Sequence, residues 1–281
     1  MTLNELSRYA EEGYNRVAVT RRVLADLDTP LSAYLKLAAQ PYSYLLESVE
    51  GGEKWGRYSI IGLPAKTVLS AVGNEITVSC NGDVVERSST RDPFAFVREY
   101  LARFKVPVDD TMSRFAGGLV GYFGYDTVRY VEPKLVDTAP EDALGTPDIL
   151  LMLSDEFVVF DNLKGEIHFV CYVDPTMHDA LEDADQKLAL LTRRLEQPIP
   201  PASHRPAETP LREPRFSSEY GHDGFLESVD RIKQYILDGD VMQVVLAQRL
   251  STALTAPAID VYRALRHLNP SPYLYFMGLG D

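Results

Sequence analysis

Tyr42–Pro64 reads YSYLLESVEGGEKWGRYSIIGLP, and its pattern sets the fold class. Two apolar, β-leaning runs, Tyr42–Val49 and Arg57–Leu63, flank a polar insert that carries Gly51, Gly52 and Gly56. Aromatic and β-branched residues suit a half-buried pleated surface, and glycines permit positive φ in a turn, so the spacing predicts strand–loop–strand. The loop holds the single tryptophan, Trp55, and Glu47 and Ser48 sit where the first strand runs out. Polar groups at the end of a buried strand require partners from the protein or from a ligand.

Working outward, Leu3–Glu12 reads as a short helix and Arg16–Leu24 as a strand. Thr29-Pro30 reads as an N-cap with proline at the first helical position, opening a helix through Ala39. Thr67–Ala71, Glu75–Cys80 and Val84–Arg87 are joined by Gly73-Asn74 and Asn81-Gly82, which predicts an antiparallel meander. Asp92-Pro93 starts a helix whose Phe94, Val97, Leu101 and Phe104 recur at helical spacing. In GGLVGYFGYD (Gly117–Asp126) the glycines lie among β-leaning residues, a pattern that marks a bulge or the close approach of another backbone. Ile149–Leu153, Glu156–Asp161 and Glu166–Val173 read as strands, the last two joined by a turn at Asn162–Gly165, and Asp179–Glu196 reads as an amphipathic helix.

The composition then changes. Gln197–Arg215, QPIPPASHRPAETPLREPR, has almost nothing apolar to bury and reads as a linker between an N-terminal domain, residues 1–196, and a second one, residues 216–281. The second is expected to run helix (Gly221–Leu237), strand (Val241–Leu250), helix (Pro257–Leu268), strand (Pro272–Met277). Some 60 residues are few for a free-standing domain, so it is expected to be incomplete. The residues alone read as a two-domain α+β protein.

The chain has 281 residues with 28 basic against 41 acidic side chains, a formal charge of −13. Such a field repels nucleic acid and anionic membrane surfaces, and neither is expected as a partner. The N-terminus lacks a secretory apolar core and no run of 18 apolar residues occurs, so a cytoplasmic location is expected. Cys80 and Cys171 lie in apolar runs and read as buried free thiols.

Sequence motifs alone assign no chemistry. Gly51–Tyr58 has two glycines at phosphate-loop spacing, but Arg57 and Tyr58 stand where lysine and a magnesium-holding hydroxyl are needed, and a strand follows. Gly117–Gly124 lacks dinucleotide spacing. The five histidines are scattered, with no cysteine at metal-ligand spacing.

Four blocks in order carry a resemblance: Leu45–Gly62, Gly117–Asp126, Asp238–Leu250 (DGDVMQVVLAQRL) and Leu265–Met277 (LRHLNPSPYLYFM). Together they resemble the anthranilate synthase component I family of chorismate-utilising enzymes, a resemblance that implies an antiparallel β-sheet sandwich with flanking helices, begun in the second domain. The resemblance implies a lyase that makes anthranilate and pyruvate from chorismate and ammonia, uses magnesium, and receives ammonia from a glutamine amidotransferase subunit. It also implies feedback inhibition by L-tryptophan through Ser48, Pro272, Tyr273 and Leu274, with Glu47 beside them, and places Gln243 at the active-site lining. Related water-adding enzymes resemble this strand with lysine at that position. A lysine of lowered pKa can deprotonate water, whereas a neutral amide only orients ammonia. The family's magnesium-binding glutamates and acid/base histidine have no counterpart here, so the 281 residues alone are expected to be inactive. Component I of aminodeoxychorismate synthase and a non-catalytic tryptophan-binding module stay open as alternatives.

Overall fold

The computed structural model describes residues 1–48, 56–108, 115–139, 142, 144–200 and 215–280. Contacts divide the chain into two units, Met1–Pro200 with Leu265–Asp281, and Pro201–Ala264.

The first unit opens with α1 (Leu3–Glu11), started by a capping box between Thr2 and Glu5, and β1 (Val17–Leu24). Next is α2 (Pro30–Leu37), where Thr29 and Ser32 make a reciprocal cap ahead of a first-turn proline. Strands β2 (Ser43–Glu47), β3 (Tyr58–Gly62), β4 (Thr67–Val72), β5 (Glu75–Cys80) and β6 (Asp83–Ser89) follow. The expected Asn81-Gly82 turn has φ of 53° and 88°, the left-handed pair that a tight hairpin demands. Helix α3 (Pro93–Ala102) is capped by the Asp92 carboxylate on the Ala95 N–H. Strands β7 (Gly118–Phe123), β8 (Ile149–Ser154), β9 (Glu156–Asp161) and β10 (Glu166–Val173) precede α4 (Ala180–Leu195).

Two antiparallel sheets result. One has the order β6-β5-β4-β8-β7. The other runs β1-β10-β9-β3-β2 and ends on β13 (Leu274–Gly278). Tyr44, Leu46, Ile60 and Met277 of the second sheet pack on Val68, Val120, Leu150 and Met152 of the first. The outer face of the five-stranded sheet, with Leu69, Ala71, Ile76, Val78, Ile149 and Leu151, is covered by Phe94, Val97 and Tyr100 of α3. Helix α4 lies on β1 and β10, and α2 on β2, β3 and α4. Helix, sheet, sheet, helix is therefore the layer order of this unit. β8 is buried on both faces, which explains why its sequence, ILLMLS, is apolar without alternation from Ile149 to Leu153.

Glycines set the close contacts. A Cβ at Gly121 would lie 1.9 Å from the Leu150 carbonyl oxygen, the close backbone approach that the glycine pattern predicts. Gly62, opposite Tyr44 in register, leaves room for that ring, whose hydroxyl reaches Ser154 Oγ of the facing sheet at 2.6 Å.

The second unit holds β11 (Ser217–Ser218), α5 (His222–Asp238), β12 (Leu250–Ser251) and the first part of α6 (Ala258–Leu268). Here the expectation of a strand over Val241–Leu250 fails. Only Leu250 joins a ladder, the two-residue pairing of β11 with β12, while Met242 is 98% and Val245 84% exposed. Strand propensity expresses packing against neighbours, and beyond that ladder this run meets its unit through polar side-chain contacts at the same end, Gln248 with Ser218 and Arg249 with Glu219. The sandwich that the resemblance places in the second domain is built in the first unit. Residues 49–55, with most of the rejected phosphate loop, and residues 201–214 of the proline-rich segment lie outside the described residues.

Candidate functional site

β2 lies inside its sheet, between β3 and β13. Its burial places Tyr44 and Leu45 in the interior and ends on Glu47, which is 4% exposed. A carboxylate is almost never buried unless it is paired. One partner is Arg266, in the last turn of α6, whose Nη2 lies 3.2 Å from Glu47 Oε1. The pair is imperfect on the arginine side, because Arg266 Nε is buried with no hydrogen-bond partner among the described residues. An orphaned buried donor of this kind costs about 1–3 kcal/mol.

The antiparallel register sets Leu274 opposite Glu47 and Tyr275 opposite Leu46. Ser48, half-buried, follows Glu47, and Pro272 and Tyr273 precede Leu274 on the neighbouring strand. The ladder therefore draws Glu47, Ser48 and Pro272–Leu274 to one end of β2 and β13, although well over two hundred residues separate them in sequence. Leu274 and Pro272 are half-buried, while Tyr273 is 75% exposed and its N–H donates to Ser271 Oγ at 3.2 Å. The grouping offers one carboxylate, one hydroxyl, an aliphatic side chain and an exposed phenol, the chemistry that an α-amino acid with an apolar side chain needs. Gln243 is not gathered there; it lies in the second unit, exposed and off any strand.

This partner of Glu47 could not be read from the sequence. A buried acid announces that a cation is needed, but nothing in spacing selects Arg266 from 28 basic residues.

Two other polar constellations lie elsewhere in the first unit, one of them again with an unmet donor, the buried Nε of Arg16. Lys66 and Lys187 both reach Glu156 Oε1, at 3.0 and 2.7 Å, and Arg16 Nε lies 3.4 Å from Asp155, around a cavity of about 150 Å³. Burial pushes the Glu156 carboxyl up, but the hydrogen bond from Lys187 and the two ammonium charges outweigh it and hold it below the ordinary value. Asp155, less well paired, is pushed up by burial. Cys171 is buried, and its thiol is pushed up to about 11, the inert condition of a structural cysteine. Asp161, whose side chain is 4% exposed, takes Arg57 Nη2 at 2.7 Å and the N–H groups of Leu163 and Lys164.

Among the described residues no group of three or more His, Cys, Asp or Glu could hold a metal ion. The described residues do not fit magnesium, and no step is derived through it. No helix of the described residues is long and apolar enough to cross a membrane.

Comparison with known proteins supplies what geometry does not. A family described as chorismate binding enzyme matches residues 42–281. Anthranilate synthase component 1 of Pseudomonas aeruginosa is 52% identical over 100% of this chain and 57% of that protein. The Neisseria gonorrhoeae protein of the same name is 48% identical over 99% of this chain and 56% of its own length. A crystal structure of anthranilate synthase component I from Streptococcus pneumoniae superposes with a TM-score of 0.65 at 28% identity, covering 93% of this chain and 55% of that one. The chain thus spans somewhat over half the length of the curated relatives it matches.

Proposed function

The chain belongs to the family of chorismate binding enzymes, and from that premise we propose that it is the regulatory part of an anthranilate synthase large subunit. The observation that carries the reading is the β2–β13 ladder. It joins Glu47-Ser48 to Pro272-Tyr273-Leu274, two segments that the resemblance pairs for independent reasons. Identity of 52% across the whole chain with a protein named anthranilate synthase component 1 supports the choice of reaction.

In this reading chorismate and ammonia become anthranilate, pyruvate and water. Ammonia adds at C2, the C4 hydroxyl leaves as water, and pyruvate is eliminated. A glutamine amidotransferase subunit supplies the ammonia, and Gln243 belongs to the lining of the site. Its amide can hold ammonia by hydrogen bonds but cannot serve as a base, which favours an amination over a hydration. A magnesium requirement is part of the reading. Residues 1–196 form the regulatory domain, 197–215 the linker, and 216–281 the start of the chorismate-binding domain.

At the effector site the protein's groups have separate tasks. The Glu47 carboxylate receives the ammonium of L-tryptophan, the Ser48 hydroxyl accepts or donates beside it, and Leu274 with Pro272 walls the indole. A buried carboxylate meeting an ammonium in a site shielded from water gives a stronger contact than the same pair in solvent.

Titration calorimetry with L-tryptophan tests the effector site. Binding is expected, weakened about tenfold by Ser48→Ala, the loss of roughly one hydrogen bond. Tight binding untouched by Ser48→Ala and Tyr273→Ala would place the ligand elsewhere. For catalysis, the chain spans 57% of its Pseudomonas relative, and we expect no anthranilate fluorescence from the 281 residues alone with chorismate, magnesium and ammonia. Turnover by the chain alone would overturn the assignment as a regulatory part.

A further inference from the structure

We infer that Arg266 is a tethered competitor for the effector site: its guanidinium occupies the Glu47 carboxylate that an incoming α-ammonium needs, and the ligand binds by displacing it. The inference rests on the effector-site reading above and adds a residue and a mechanism to it.

Three observations carry it. Glu47 is buried at the end of β2, opposite Leu274, so its carboxylate is aimed at the place where the two candidate segments meet. Arg266 Nη2 already lies 3.2 Å from Glu47 Oε1, within the shell that a ligand ammonium would enter. The arginine is also poorly housed. Its Nε is buried without a hydrogen-bond partner among the described residues, while its side chain as a whole keeps 36% exposure and so has a way out to water. An unmet buried N–H opposes the pairing; Arg16 Nε beside Asp155 shares that fault, but Arg266 combines it with a place at the candidate ligand site. A cation that holds the carboxylate while leaving one donor unmet is a stand-in, which keeps the buried charge neutralised when no ligand is present. Displacement returns the guanidinium to solvent, where its donors are satisfied.

The consequence is a specific pattern of affinities. Arg266→Met removes the competitor and keeps most of the side-chain length. L-Tryptophan should then bind about tenfold more tightly, because its ammonium no longer has to displace the guanidinium from the Glu47 carboxylate. Indole-3-propionate has the same ring and carboxylate but no ammonium, and should bind both forms alike. A merely structural role for Arg266 would shift both ligands together.

The experiment is titration calorimetry of the wild-type chain and Arg266→Met with both ligands. Tighter binding of L-tryptophan alone supports the inference. Unchanged or weaker L-tryptophan binding by a folded variant overturns it and leaves the effector site standing. Failure of the wild-type chain itself to bind L-tryptophan removes the effector site, and the inference with it. Should Arg266→Met not fold, the Nε–H of Arg266 is followed by nitrogen-15 NMR in the wild-type chain, assigned by its loss in Arg266→Lys. Faster exchange with water on adding L-tryptophan, but not indole-3-propionate, supports displacement; unchanged exchange overturns it.

Discussion

Ile149–Ser154 and Val241–Leu250 are both apolar runs of strand-forming residues, and they end in opposite conditions. The first is β8, buried at every position between β4 and β7. The second is irregular as far as Leu250, with Met242 and Val245 almost fully exposed. The difference teaches that an apolar run specifies a strand only where neighbouring strands exist to receive its amide groups and side chains. β8 has two neighbours and a packed layer on each face; Val241–Leu250 has a two-residue ladder at one end.

Substitutions can break this contrast, the strongest first. Phe157 is fully buried in β9, and Phe157→Ala should cost about 3–5 kcal/mol, read from the urea midpoint. A cost below 1 kcal/mol would mean that the first unit is no better packed than the second. Gly121→Ala introduces a Cβ against the Leu150 carbonyl and should cost about 1–3 kcal/mol, because the β7–β8 ladder must open to admit it.

A smaller, pH-dependent effect sharpens the comparison at the rim of the sheet. Burial raises the Asp161 carboxyl, but the Arg57 hydrogen bond and the Leu163 and Lys164 amides prevail and hold it below the ordinary value. A carboxyl that titrates lower in the folded state contributes stability above the unfolded value, near pH 4, and loses it as pH falls further. Urea midpoints of the wild type should therefore fall as the pH drops below about 4. Arg57→Met should be less stable at neutral pH and show less of this acid loss; an unchanged pH profile would exclude Asp161 as its source. The smallest expected effect is in the second unit. Val245→Ser should change stability by no more than about 0.5 kcal/mol, since the valine is already in water. A large cost would show that this run packs in solution after all.

Much of the first unit was legible because its signals are local. Thr29-Pro30 and Asp92-Pro93 each carry a cap and a fixed φ in adjacent residues, and Asn81-Gly82 spells its own turn. Strand order was not legible. Nothing within Thr67–Val72 says that it pairs with Ile149–Ser154, in the register Ala71↔Ile149, because that choice is made by whole faces packing together. The same limit explains the candidate site. Glu47 and Ser48 stood out as polar residues ending an apolar strand, whereas Arg266 came into view only once β13 was laid beside β2. Val241–Leu250 was misread for the complementary reason: its propensity was plain, and its want of neighbours was not.

The position of β13 has a consequence for how the sheet is made. β2 gains its outer neighbour only when Leu274–Gly278 arrives, roughly 230 residues of synthesis later. At translation rates of about 5–20 residues per second, that delay is roughly ten to fifty seconds. Throughout it, one side of the Ser43–Glu47 backbone has open hydrogen-bonding groups, and Glu47 has neither Leu274 nor Arg266 beside it. A nascent chain halted before Leu274 should bind chaperone through this edge, and one released after Gly278 should not.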